Sequence, residues 1–240
     1  MTSPRRTAAV AGALYLVTHV TSIATVAYGP VLADPGYITG AGPDTQLLVG
    51  SLLEMVLAMA VVGTAVALFP VLRRQSEGVA LGYVGLRVLE GAVIAVGVVP
   101  LLAVATLRQD LAGATGTDSA TLVTVGRSLV ALHEGAFVVG QGFVIGVSTI
   151  LTAYLMYRSH LVPRLIPVLG LVGAPLILAG RTAMLFGYEP SPALTAAVVL
   201  PIFAWEIGLA LYLVLRGFRP AALGRLGLAQ SDPGRTPVSA

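Results

Sequence analysis

The stretch "VALGYVGLRVLEGAVIAVGVVPLLAVATL", Val79 to Leu107, is a continuous apolar run interrupted by only two charges, Arg87 and Glu90. At the rise of an α-helix, about 20 residues cross the roughly 30 Å hydrocarbon core of a bilayer. This run is long enough to do so. Its neighbours repeat the pattern. Apolar segments run from about Thr7 to Gly29, where Pro30 ends the run, and from Leu47 to Leu72, stopped by Arg73 and Arg74. Three more cover Leu129 to Tyr157 (extended N-terminally to Ser119), Leu165 to Phe186 with Pro167 and Pro175 inside it, and Ala193 to Leu215.

Composition agrees. Of 240 residues, 56% are hydrophobic and only 10% charged, where a soluble chain carries about 25% charge. The fold expected is an all-α integral membrane bundle of six transmembrane helices. It forms one domain over residues 1–216, followed by a short cytoplasmic tail, 217–240, that ends in the polar "QSDPGRTPVSA" and is expected to be disordered. Arg5, Arg6, Arg73, Arg74, Arg158, Arg164, Arg216, Arg219, Arg225 and Arg235 collect on one side, against Arg108, Arg127 and the acids Asp34, Asp44, Asp110, Asp118 and Glu189 on the other. By the positive-inside rule both termini are cytoplasmic, in an inner-membrane, multi-pass protein. The first run is longer than the apolar core of a signal peptide, so it is read as a retained span.

Several function classes fall away. There is no cysteine, hence no disulfide, thiolate nucleophile or thiolate-held metal. All fourteen basic residues are arginine, which excludes a Schiff-base lysine. The basic pI, ≈ 9.5, comes from arginines at span ends rather than from a basic stripe with aromatics, so no nucleic-acid partner is expected. "HEGAF" at His133 lacks the second histidine of a zinc-protease helix, and no cofactor or metal site is read.

The informative residues are the polar ones at membrane depth. Counted along the helical rise, Arg87 lies roughly 12 Å in, Glu90 and Glu206 roughly 15 Å, and His19 roughly 18 Å. Glu54, Glu134 and Arg181 lie roughly 8–10 Å from the outer end. Helical spacing puts Tyr83, Arg87 and Glu90 on one face, Tyr15, His19 and Ser22 on another, and Glu134, Gln141 and Ser148 on a third, seven residues apart. Such stripes face protein or water, since lipid cannot satisfy them. Arg87 and Glu90 also admit reading as a purely structural i, i+3 pair. Four glutamates at depth, Glu54, Glu90, Glu134 and Glu206, still outnumber the two arginines, Arg87 and Arg181. The surplus must carry a proton, hold water or be neutralised by a cation.

Four stretches, "RRTAAVAGALYLV", "GLRVLEG", "LHEGAFVVGQG" and "YRSHLVPRLIPVLGLVG", together resemble a bacterial membrane family known as domain of unknown function 4386. The likeness covers about Arg5 to Arg216. It implies that Arg87, Glu90 and His133 are recurring positions, while Glu54 and Glu206 match nothing in the family pattern. It implies no activity.

The leading expectation is a glutamate-rich intramembrane pocket that binds or moves a small or amphiphilic ligand, coupled to protons. Its residues are Arg87, Glu90, Glu206, Glu54, Glu134, His133, His19, Gln141 and Arg181. Two rival readings stand beside it. One is a lipid- or isoprenoid-modifying enzyme using glutamate acid–base chemistry, with Trp205 beside Glu206 as its aromatic wall. The other is a non-catalytic partner or regulatory subunit. The partners expected are membrane lipids and a small-molecule or lipid ligand, and a homo-oligomer is compatible with the pattern.

Overall fold

Inside a bilayer, backbone N–H and C=O groups must pair within their own segment, which leaves a long apolar run one solution, the helix. The computed structural model, which describes residues 3–22, 27–110 and 118–228, adopts it throughout, with no strand among those residues. In chain order the helices are α1 (Pro4–Ser22), a short α2 (Gly29–Ala33), α3 (Thr45–Leu72), α4 (Glu77–Asp110), α5 (Ser119–Val138), α6 (Ile145–Ser159), α7 (Leu165–Leu185), α8 (Pro192–Leu215) and α9 (Pro220–Arg225). A 3₁₀ turn, Tyr37–Thr39, precedes α3, and six residues of wider π-type winding, Val139–Val144, join α5 to α6.

Five stretches are long and apolar enough to cross a membrane: Thr45–Leu72, Glu77–Asp110, Ser119–Ser159, Leu165–Leu185 and Pro192–Leu215. The chain is an all-helical protein of multi-pass membrane type. These five correspond to the second to sixth expected spans. The first expected span is represented by α1, and residues 23–26 of it lie outside the described residues. Pro30, read as its terminator, instead sits in the first turn of α2. A missing N–H is harmless there, because the first amides of a helix have no partner anyway. The expected tail opens with α9, which buries Ala222 beside Phe218; residues 229–240 lie outside the described residues.

The helices close into a ring. α1 packs on α3 and α8, α3 on α4, α4 on α5 and α6, α6 on α7, and α7 on α8. Arg5 locks the closure: its guanidinium donates to the carbonyls of Leu213 (3.0 Å), Val214 (2.8 Å) and Leu215 (3.3 Å). Those are last-turn carbonyls that α8 cannot pair internally. The start of α1 and the end of α8 therefore share one end of the bundle. Near that end the ring is filled by Leu68, Leu72, Tyr83, Leu155, Met156, Leu209 and Leu213.

At the other end, α4 and α5 outrun a bilayer core. α4 alone extends roughly 50 Å, against a core of roughly 30 Å. Tyr28, Val31 and Ile38 pack this extension against Leu47, Leu101 and Val104. Arg108 stacks on the Tyr37 ring at 4.0 Å and pairs with Asp44, while burial pushes the Tyr37 hydroxyl above its ordinary value. Asp118 caps α5: it accepts from the Thr121 hydroxyl (2.6 Å) and the Ala120 amide (3.1 Å), and these bonds hold its carboxyl below the usual range.

The π-type segment changes one sequence expectation. The seven-residue alignment of Glu134, Gln141 and Ser148 assumed a regular α-helix. With i→i+5 bonds each turn takes more residues, so the facing slips between Glu134 and Gln141. Glu134 is exposed at the far end, whereas Gln141 turns into the ring.

Candidate functional site

Arg87, on the ring-facing side of α4, is 2% exposed, and every arm of its guanidinium is held. Nη1 donates to Glu90 Oε2 (3.1 Å), one helical turn on. Nη2 donates to the Thr64 hydroxyl (3.1 Å) and Nε to the Val61 carbonyl (3.4 Å), both on α3. The Tyr15 ring of α1 lies under the charge at 5.6 Å, and its hydroxyl meets that of Tyr83 at 3.1 Å. A buried ion pair survives when its remaining donors and acceptors are satisfied. Arg87 meets that condition. Glu90, 0% exposed, does not: its Oε1 has no hydrogen-bond partner among the described residues.

Thr64 passes the contact on by donating its own proton to Val61 O at 2.6 Å. Thr64→Val keeps the shape but strips Nη2 of its acceptor. We expect it to destabilise the protein by about 1–3 kcal/mol, the cost of an unmet buried donor, read as a lower melting temperature in detergent. An unchanged melt would mean that Arg87 does not depend on α3.

Across the ring, His19 of α1 meets Glu206 of α8, Nε2 to Oε2 at 3.6 Å. The other ring nitrogen, Nδ1, lies 2.8 Å from the Tyr15 carbonyl, which can only accept. Nδ1 therefore carries a hydrogen. In neutral His19, Nε2 would then turn a lone pair toward the carboxylate. The contact becomes attractive when one further proton is present, on Nε2 or on Glu206. Phe203 closes the imidazole from one side, edge-on at 5.2 Å.

These groups surround a single cavity of about 50 Å³, lined by Thr18, His19 and Ser22 of α1, Leu57 and Val61 of α3, Arg87 and Glu90 of α4, Gln141 of the π-type segment, Ile145 of α6 and Glu206 of α8. π-type turns recur at functional sites because they re-aim a side chain, and here the one aimed inward is an amide. A cavity of this size admits a few waters or a small cation, since one water needs roughly 10–15 Å³. It is well below the roughly 300–1,000 Å³ of pockets for drug-sized ligands.

The remaining expected residues lie elsewhere. Glu54 accepts from the Tyr28 hydroxyl at 2.8 Å. His133 donates through Nδ1 to the Gly97 carbonyl at 2.9 Å and stands edge-on to Tyr28 at 5.3 Å. This second buried cluster sits two turns, roughly 10 Å, from Val61 along α3. Glu134 borders a shallow depression of about 300 Å³ with Asp34 and Arg127. Arg181, half-buried on α7, lays its alkyl chain over Gly142 and reaches only the Met184 sulfur, at 3.7 Å, beside an apolar crevice between α7 and α8. Trp205 is buried against Gly170 of α7 and does not line the cavity.

The sequence reading missed Thr64 and Tyr28. Thr64 left a signal, a hydroxyl deep in the apolar run of α3. Tyr28 left none: it falls at the end of the first expected span, and nothing in that run marks it as the partner of Glu54.

No curated protein and no solved structure matches the chain. A family model described as Domain of unknown function (DUF4386) matches residues 10–217, which takes in α3 to α8 and the whole cavity lining. With most of its length matched, the chain belongs to the DUF4386 family.

Proposed function

We propose that the chain is a six-helix inner-membrane protein whose central cavity takes up and releases a proton in step with the binding or passage of a small ligand. The sixth crossing is α1, whose 19 residues span roughly 28 Å. Its start beside the end of α8 suits an even number of crossings. The arginine-rich connections, Arg73–Arg74 and Arg158 to Arg164, support a cytoplasmic position for that end by the positive-inside rule.

The observation that carries the reading is the His19–Glu206 contact inside a cavity that Glu90 also lines, a residue whose Oε1 has no partner among the described residues. The pair coheres with one proton, and both members retain some access, at 12% and 13% side-chain exposure. Glu90 offers a second acceptor, fixed in place by Arg87, and Gln141 offers a donor and an acceptor with no partner among the described residues. Water in the cavity would connect the two carboxyls. The size of the cavity favours a small solute or cation over an amphiphile. Trp205 packs against α7 and does not line the cavity, which weighs against cation-forming lipid chemistry.

The test uses protein reconstituted in lipid. Infrared spectra across a pH titration should contain a protonated-carboxyl band that is lost in Glu206→Gln, and proton uptake of about one per chain should fall with it. Proteoliposomes carrying Glu90→Gln or Glu206→Gln should collapse an imposed pH gradient at least about tenfold more slowly than wild type, the signature of a lost proton carrier. Titration and flux unchanged in both variants, with only assembly affected, would leave the charges a structural role and end this reading.

A further inference from the structure

At the arginine-rich end, outside the ring, the α6–α7 turn, the end of α8 and α9 enclose a groove of about 500 Å³. Its charged walls are Arg216, just past the end of α8, with Arg219 and Arg225 leading into and along α9, and Tyr212 and buried Phe218 also line it. No carboxylate lines it among the described residues. His160, in the left-handed conformation at φ 58°, turns its ring into the same space. Its Nε2 accepts from Arg164 Nη2 at 3.1 Å, so the ring hydrogen is on Nδ1. Desolvation first, then Arg164, Arg225 and Arg219, push this imidazole below its ordinary pKa.

The guanidiniums are not consumed by the fold. Arg225 spends one nitrogen on the Ser159 carbonyl at 3.3 Å. Arg216 and Arg219 have no side-chain partner among the described residues. Arginines placed only to set topology need no shared concavity: Arg73 and Arg74, at the same end, line no part of this groove, and Arg73 rests on Phe69 at 5.7 Å. Three forked cations around one space, unopposed by any acid among the described residues, suit a tetrahedral dianion or diester, because each fork can bind two oxygens of one group.

We propose that this groove binds a phosphate group, either the headgroup of an anionic phospholipid or a soluble phosphate, held by Arg216, Arg219 and Arg225 with the His160 Nδ1–H as an additional donor. The Phe218 and Tyr212 rings would take the carbon skeleton that carries the phosphate.

The experiment uses the full chain purified in neutral detergent. Native mass spectrometry measures bound phosphatidylglycerol against phosphatidylcholine, with inorganic phosphate added as a competitor. The double variant Arg216→Gln/Arg219→Gln should lose phosphatidylglycerol binding by at least about tenfold per removed fork. Arg73→Gln/Arg74→Gln, which takes the same charge from the same end, should change it by less than about twofold. Both variants should melt like wild type, since all four side chains are exposed. Displacement of the lipid by inorganic phosphate would assign the site to a soluble phosphate; its persistence would assign it to the headgroup. Equal losses in the two double variants would reduce the effect to surface charge and overturn the proposal, as would no loss in either.

Discussion

Arg87→Leu alone will destabilise the protein by about 3–5 kcal/mol, whereas Arg87→Leu combined with Glu90→Leu will recover most of that loss. The single change leaves Glu90 fully buried with no cation, and it also removes the guanidinium donors to Thr64 Oγ1 and the Val61 carbonyl, of which the carbonyl keeps the Thr64 hydroxyl. Glu90 Oε1 is already without a partner, so no spare hydrogen bond cushions the loss. The double change removes both charges and leaves aliphatic side chains between Tyr15, Val61 and Tyr83, where burial rewards them. Glu90→Gln is the milder lesion, because a carboxamide oxygen still accepts from Nη1. The order Arg87→Leu, Glu90→Gln, double variant, from least to most stable, would be read from denaturant or thermal unfolding in detergent. If the double variant were no better than the single, Arg87 would be holding α3 to α4 rather than neutralising Glu90.

That experiment bears on why a chain so apolar keeps two adjacent charges. A pair that only cancelled itself would leave both carboxylate oxygens engaged. Here one oxygen is engaged by Arg87 and the other has no partner among the described residues, in a residue that lines the same cavity as the His19–Glu206 contact. Arg87 accounts for the survival of a carboxylate in the ring, and the vacant oxygen is what remains available for chemistry.

How much of this could be read beforehand follows from what a sequence encodes along a helix. Height is encoded: residue count times rise gives depth, and on that scale His19, Glu90, Gln141 and Glu206 share a layer, as their side chains do around the cavity. Helix limits are encoded too, because Arg73–Arg74 and the α7–α8 loop, with Gly187 and Pro190, interrupt apolar runs plainly. Azimuth around the ring is not. Glu54, Glu134 and Arg181 have similar depths, yet one faces Tyr28, one faces outward and one lies over Gly142. Placing them requires the order of helices in the ring, which no single span specifies. It also requires the local winding at Val139–Val144, where regular heptad arithmetic fails. Partners supplied by other segments, such as Thr64 for Arg87 or the α8 carbonyls for Arg5, were hidden for the same reason.

The second large effect should come from a residue that touches no charge. At Gly173 of α7, an added Cβ would stand 2.5 Å from the Ile202 nitrogen and 2.9 Å from both the Ile202 Cα and the Pro201 carbonyl carbon. All three are backbone atoms of α8, so no side-chain rotation relieves the clash. Nor can α8 retreat, because on its other side Gly12 of α1 would bring a Cβ to 2.7 Å from the Ala210 carbonyl oxygen. α8 is clamped between two glycine contacts, and close backbone approach of this kind is what holds membrane helices together where no hydrophobic drive exists. Gly173→Ala should therefore cost about 1–3 kcal/mol, and Gly173→Leu more, as overpacking against a backbone that cannot yield. Gly85→Ala on α4 is the control, since a Cβ there meets nothing within 4 Å. It should be neutral or stabilise by up to about 1 kcal/mol through helix propensity. The same displacement has a functional reading. Ile202 is one turn before Glu206, so prying α7 from α8 shifts that carboxyl against His19, and its infrared titration should move in Gly173→Ala but not in Gly85→Ala. If the two alanine variants melt and titrate alike, the clamp does not position α8, and the His19–Glu206 distance is set by something other than the packing of α7.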